Sequence, residues 1–391
     1  MMKIGILTLP FHTNLGGILQ NYALQKTLRR MGHSPSTINF KQKEIKKITI
    51  LFSVLKRIVM RVVFRKRDVR VRVWPTANEK KLIYGGIDEF IDNNISLTQP
   101  IFQVDDLYKK EKFNFDAYIV GSDQVWRPRY VKKISTFFFD FVHDDPKVIK
   151  LAYAASFGED SWEYTLEETE QCRTLALKFD AISVREESAV SLVKQYFGVE
   201  AIEVLDPVFL LTQKDYEALT LDNNNQQFHG GIFSYILDKT VERLNFIDKI
   251  SKTIGLDTFS ILPMNRFEDL GSNGVESCIH PSISDWINSY VNAEFIITDS
   301  FHGVVLSIIF KKEFICIGNN NRGLTRMTNI LKKYNLMDRL IFDSDTPSDL
   351  MKLEKINYLQ IHTLLEIERK KSLAFLKSFL EKGNFPSENI L

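Results

Sequence analysis

Short apolar runs alternate with stretches of helical spacing along most of the chain. "MKIGILTL" reads as a buried strand bounded by Pro10. The polar turn "FHTNLGG" follows, and then "ILQNYALQKTLRRMG" places Leu24, Leu28 and Met31 on one helix face, with Gly32 at the expected stop. "STINF" returns as a strand. The same alternation resumes at "DAYIVGSDQVW", "VIKLAYAASFG", "DAISVREESAVSLVKQYFG" and "IEVLDPVFLL". A polar, turn-rich stretch, "TLDNNNQQFHG", suits an interdomain link. Beyond it come the strand "GIFSYIL", a helix over 241–254, the strand "TFSIL" and the helix "SISDWINSYVNA", which Ser282 or Ser284 could cap. "FIITDSFHG" then reads as a strand over 294–298, a turn over 299–303 and a buried helix over 304–310. The strand "FICIG" and the helix "RMTNILKKYNL" follow, and an amphipathic helix fills 353–382. This order predicts an α/β chain of two Rossmann-like domains facing a cleft. The first covers residues 1–220 and the second covers 221–391, ending in a long C-terminal helix.

Size and composition agree. At 391 residues the chain exceeds what one core ordinarily supports, and its 44% apolar and 26% charged residues are ordinary for a globular protein. No apolar run reaches the ~20 residues that span a bilayer. The first residues lack the longer apolar core of a signal peptide. Cys172, Cys278 and Cys316 form neither a metal-ligand pattern nor a disulfide framework. A cytoplasmic location is expected, with peripheral attachment to the inner face of the cytoplasmic membrane left open.

Charge changes the picture in one place. Residues 41–72 hold twelve Lys/Arg against Glu44 and Asp68, a net +10, so the overall +2 leaves −8 elsewhere. The arm over 41–73 reads first as an amphipathic helix and then as a strand-like alternation. It suits an anionic surface, such as a membrane, better than nucleic acid. A helix packed on its own protein with a solvated basic face is the plainer alternative.

Candidate chemistry sits in the strand-end turns. In the turn over 299–303, backbone N–H groups at a helix start would favour phosphate or carboxylate, and His302 suits proton transfer near neutral pH. Ser300 or Asp299 could equally cap that helix, and Asp299 could partner His302. Arg185 ends a strand and could grip an anion through its planar fork, or pair with Glu186 or Glu187 on the surface. Asp123 and Gln124 could bond sugar hydroxyls and Trp126 could stack on a sugar, or serve as cap and core. His12, Asn14, Gly16 and Gly17 form a turn that could admit a sugar, although they match no nucleotide-binding glycine motif. Arg322 and Arg326 could add positive charge. Nothing in the sequence suggests a metal site.

Taken in order, "TNLGGILQNYALQKTLRRMGH", "FDAYIVGSDQVWRP", "KLAYAASFG", "ISVREESAV", "VLDPVFLL" and "ITDSFHGVVLSIIF" resemble the polysaccharide pyruvyl transferase family. The resemblance implies a GT-B-like fold and transfer of pyruvate from phosphoenolpyruvate to a sugar. The product would be a cyclic ketal, for which a 4,6-ketal on a galactose-type residue is the expectation. Arg185 matches the donor-binding Arg, and Ser300, Phe301, His302 and Gly303 match the donor-site turn, with His302 catalytic. Some members carry Arg where this chain has Ser300, so the remaining positive charge would come from Arg185, a helix terminus, or Arg322 and Arg326. The acceptor would be a sugar on a polyprenyl diphosphate in cell-surface polysaccharide synthesis, and no cofactor is implied. A GT-B glycosyltransferase using a nucleotide sugar is the alternative enzyme, and a non-catalytic sugar- or lipid-binding protein is the alternative of another class.

Overall fold

The structure is a computed structural model. It describes all residues except 42–46, 66–70, 73, 110–112, 143–144, 221–229, 271–273, 319–323, 346–351 and 382–391, together with the side chains of 47–51. The interdomain link read from the sequence, Arg322, and most of the strand-like half of the basic arm therefore lie outside the described residues.

Strands β1 (Lys3–Leu7), β2 (Ser34–Thr37), β3 (Ala117–Val120), β4 (Ile149–Ala155), β5 (Ala181–Val184) and β6 (Ile202–Glu203) form one sheet. Its order is β2-β1-β3-β4-β5-β6 and every pair is parallel. Strands β7 (Ile232–Tyr235), β8 (Thr258–Phe259), β9 (Phe295–Thr298), β10 (Glu313–Ile317) and β11 (Leu340–Ile341) form a second parallel sheet, ordered β11-β10-β9-β7-β8. The helices are α1 (Leu15–Arg30), α2 (Lys47–Val62), α3 (Ala77–Asn94), α4 (Leu166–Ala176), α5 (Glu187–Leu192), α6 (Gln213–Glu217), α7 (Val241–Ile254), α8 (Ile283–Asn292), α9 (Phe301–Ile309), α10 (Leu324–Lys333) and α11 (Tyr358–Leu380).

Both sheets start alike. The chain leaves β1 for β2 on one flank and returns to β3 on the other, and β7, β8 and β9 repeat the move. Each sheet thus has a switch point, between β1 and β3 and between β7 and β9. Crevices for ligands open beyond the carboxyl ends of strands at such points. Strand β4 is buried at all seven positions, which explains why Lys150 alone breaks its apolar run.

Cap chemistry sets several helix starts. Asn14 caps α1 by accepting from the Gly17 N–H at 3.1 Å. Ser282, not Ser284, caps α8 through a box with Asp285, while the Ser284 hydroxyl donates to the Leu219 carbonyl. Helix α9 begins at Phe301, three residues before the position read from the sequence, because Ser300 is already its extended N-cap. His302 and Gly303 therefore sit in its first turn.

One apolar cluster crosses between the two units. Leu15, Ile18 and Leu19 of α1 share it with Val304 and Val305 of α9. The C-terminal helix adds a second tie. Its Ile361 and Leu365 join that cluster, while Phe375, Leu376 and Leu380 pack with Ile4, Ile6 and Leu24 of the first sheet's unit. Arg369 Nε donates to the Phe209 carbonyl at 2.7 Å and Leu205 N donates to Ser372 Oγ at 2.9 Å. Periodicity shows which face of α11 is buried, but not that its last turns return to the first sheet.

Candidate active site

The two switch points meet over the apolar seam. From the first unit come Asn14 and Gly16 after β1, Asp123 after β3, Arg185 after β5 and Asp206 after β6. The second unit supplies the first turn of α9 and Arg326 of α10. A cleft there is lined by Arg185, Glu186 and Asp206 on one side and by Phe301, Arg326 and Lys333 on the other.

Arg185 is buried, not a surface partner of its neighbours. Its Nη1 donates to Asp206 Oδ2 at 2.7 Å, and Nη2 lies 3.5 Å from Asp123 Oδ1. Nε sits 3.9 Å from Glu186 Oε2 and has no hydrogen-bond partner among the described residues. The guanidinium lies 4.6 Å from the centre of the Phe301 ring, and that of Arg326 approaches the same ring at 5.7 Å. Arg326 Nη1 is also 3.7 Å from Asp123 Oδ1. One cation from each unit thus converges on one aromatic ring and one carboxylate.

His302 Nε2 is 3.7 Å from Asp206 Oδ2, an ion-pair separation longer than a hydrogen bond. Gly16 is its seat. A Cβ built on Gly16 would lie 2.1 Å from His302 Nδ1, so only glycine lets the imidazole rest on α1. The sequence reading gave Gly16 to a sugar, whereas the close approach here is made by the chain's own histidine. Gly303 likewise allows contact, since its missing Cβ would fall 2.1 Å from Thr298 Oγ1. The Ser300 side chain makes no cap bond to α9.

Charge at the site is crowded. Burial alone would raise the Asp206 carboxyl, but His302 and Arg185 outweigh it and hold it well below the usual carboxylate range. Asp123 is lowered too: burial opposes its ionisation, and Arg185, Arg326 and His302 prevail. Glu186 goes the other way, pushed up by burial. Arg185 is raised because Asp206, Asp123 and Glu186 together exceed the penalty of its burial. Burial, with Arg185 alongside, pushes Arg326 down to about 10, so it stays a cation at neutral pH. Among the described residues, no group of three or more His, Cys, Asp or Glu is placed to hold a metal ion.

The other candidates divide. Asn14 is exposed, and its Nδ2 donates to Asp123 Oδ2 at 3.3 Å. A Cβ on Gly17 would crowd Asn14 Nδ2 at 2.8 Å. His12 is exposed near this turn, and Gln124 is half-buried, accepting from Arg127 Nη1 at 3.1 Å. Trp126 cannot stack on a sugar. It is fully buried, its ring lies 4.8 Å from that of Phe138, and its indole N–H donates to the Phe137 carbonyl. Asp299 is not the α9 cap, a position that Ser300 takes. Its two oxygens accept from the N–H groups of Leu237 and Asp238, and Arg243 Nη1 donates to it at 3.1 Å. Sequence reading missed Asp206. The available signal was an Asp-Pro pair at the end of a short strand.

Several solved structures share this architecture. UDP-GlcNAc 2-epimerase from Methanocaldococcus jannaschii, in complex with UDP-GlcNAc and UDP, aligns with a TM-score of 0.51 at 13% identity, covering 98% of this chain and 100% of that one. The S. aureus MnaA–UDP co-structure gives 0.48 at 14% identity over the whole of both chains. Acinetobacter baumannii MurG gives 0.45 at 10% identity, covering 98% of this chain and 100% of that one. The first of these supports the two-sheet, GT-B-like fold and, at such identity, nothing finer. No curated protein gives a significant match. The family model described as polysaccharide pyruvyl transferase matches residues 14–321, and the chain therefore belongs to the polysaccharide pyruvyl transferase family.

Proposed function

We propose that this chain moves pyruvate from phosphoenolpyruvate onto two hydroxyls of one sugar residue, releasing phosphate and leaving a cyclic ketal. The observation that carries this reading is the convergence of Arg185 and Arg326 on Phe301 beside His302. Phosphoenolpyruvate bears a carboxylate and a phosphate, and buried guanidiniums suit both. Arg185 Nε and the first N–H groups of α9 are the donor's expected contacts, with the Ser300 hydroxyl beside them.

In the first step, the enol carbon C3 takes a proton as a sugar oxygen bonds to C2 and loses its own. In the second, a neighbouring hydroxyl bonds to C2 as the C2–O bond to phosphate breaks. One proton is consumed and two are released from the hydroxyls, and the departing phosphate carries away the balance. His302 is the group assigned to move these protons, oriented by Asp206. His12, Asn14, Gly17, Asp123 and Gln124 are the acceptor's proposed neighbours at the mouth. The acceptor is proposed to be a galactose-type residue on a polyprenyl diphosphate, bridged at its 4 and 6 positions, with the enzyme working in the cytoplasm.

Mass spectrometry of lipid-linked sugars incubated with phosphoenolpyruvate tests the reading. The expected product has gained one pyruvate with loss of water, with phosphate released in step. Sugar transfer from a nucleotide sugar, with no phosphate from phosphoenolpyruvate, would overturn it.

A further inference from the structure

Helix α2 wears its apolar stripe on the outside. Ser53, Val54, Arg57 and Met60 are half-buried, whereas Phe52, Leu55, Ile58, Val59 and Val62 are exposed. Phe52 is 66% exposed and Val62 70%. Spacings of three and four place Phe52, Leu55, Val59 and Val62 in one line along the helix, roughly opposite Ser53, Arg57 and Met60. A helix packed only on its own protein does the reverse and turns its apolar stripe inward. The stripe runs on into Val63 and Phe64, both exposed.

Charge identifies what would cover it. From Lys47 to Arg65 the chain has no Asp or Glu, while Lys56, Arg61 and Arg65 are exposed. An apolar line flanked by cations alone matches a lipid surface carrying negative headgroups. Pairing with α2 of a second copy would set these cations against one another, and nucleic acid, though its bases can stack on Phe52, offers no continuous apolar surface to receive Leu55, Val59 and Val62. Position agrees as well. The insertion carrying α2 leaves the carboxyl end of β2, and in a parallel sheet that edge also carries the turns of Asn14 and Asp123. No described helix is long and apolar enough to cross a membrane, so the contact would be peripheral.

We infer that α2 docks this chain on an anionic lipid surface. Phe52, Leu55, Val59 and Val62 enter the boundary between headgroups and acyl chains, Lys56 beside them meets lipid phosphates, and Arg61 and Arg65 add positive charge near the surface. The inference does not depend on the reaction proposed above, because the test needs no substrate. The full chain is floated with phosphatidylcholine vesicles, with and without phosphatidylglycerol, at low and high salt. Binding is expected only with phosphatidylglycerol, weakened by salt. It should fall about tenfold in F52S/L55S/V59S and again in K56E/R61E, both with unchanged melting temperature. Absence of binding to phosphatidylglycerol vesicles at low salt would overturn the inference. So would equal binding by the triple-serine variant. A concentration-dependent dimer that the triple-serine variant abolishes would also overturn it, making a second copy the occupant.

Discussion

Asp206 follows β6 in the first unit and His302 lies in α9 of the second, and 3.7 Å separates Oδ2 of one from Nε2 of the other. The same Oδ2 accepts from Arg185 Nη1 at 2.7 Å and from the Ser122 hydroxyl at 3.2 Å. One carboxylate thus links the proposed proton carrier to the proposed donor grip. Asp206→Asn keeps the shape and the Oδ1 bond from Val208 N but removes the charge. Phosphate release in single turnover should slow about 100-fold. The variant should also lose about 3 kcal/mol of stability at neutral pH, because buried cations lose their partner. Asp206 is held below its ordinary pKa, so this stability is complete above about pH 4 and drains away as pH falls further. Denaturant melts of both proteins on acidification should therefore converge. Undiminished turnover in Asp206→Asn would remove the orienting role.

Gly16 gives a sharper geometric test. Alanine is favoured over glycine inside a helix by about 1 kcal/mol, so Gly16→Ala should stabilise α1 if nothing stood in the way. The added Cβ would meet the His302 ring at 2.1 Å. The imidazole must move, and a shift on the ångström scale costs about 100-fold in rate. The expected result is a large fall in kcat with a modest change in melting temperature. A variant that gains stability and keeps its turnover would show that His302 does not need this seat.

Asp299 separates architecture from chemistry. Its oxygens hold the end of β7 through Leu237 and Asp238 and fix Arg243, which also pairs with Asp343 at 3.0 Å. Asp299→Asn should destabilise the second unit by about 2 kcal/mol in denaturant titration, since a buried ion pair is broken while an acceptor oxygen remains. The shape of the pH–rate profile should not change. A changed profile would return Asp299 to the reacting groups.

The strands were legible because a parallel strand covered on both faces is mostly apolar, as "IKLAYAA" and "FIIT" are apart from Lys150 and Thr298. The strand-end turns were legible too, since polar residues between two apolar runs mark where a buried strand ends and the next helix begins. The partners within the turns were not. Gly16 and His302 are brought together only by the packing of α1 against α9, and no local pattern encodes a contact across the two units. Asp299 looked like a cap because capping is what an Asp before a helix does most often. Its actual partners come from the turn after β7 and from α7, at a sequence distance that hides them. Trp126 misled for a related reason. An aromatic after a polar turn can face ligand or core, and only the position of Phe138 decides between them.

Glu186 is one of three carboxylates beside Arg185, with Asp206 and Asp123, and its negative charge works against an anionic donor. Its Oε1 accepts from Ser156 Oγ at 2.7 Å and from Phe157 N at 3.2 Å, while Oε2 has no hydrogen-bond partner among the described residues. Burial pushes its pKa up, so ionising it in the folded protein costs stability. Glu186→Gln keeps the Oε1 contacts and removes the charge. The variant should gain stability over the parent at neutral pH, and the gain should vanish on acidification as Glu186 itself becomes protonated. The same loss of negative charge beside Arg185 should lower the KM for phosphoenolpyruvate by about threefold to tenfold at neutral pH. Steady-state phosphate release across a pH series reads both effects alongside thermal melts. A higher KM in Glu186→Gln would mean that the carboxylate positions Arg185 for the donor, and that its position outweighs its repulsion.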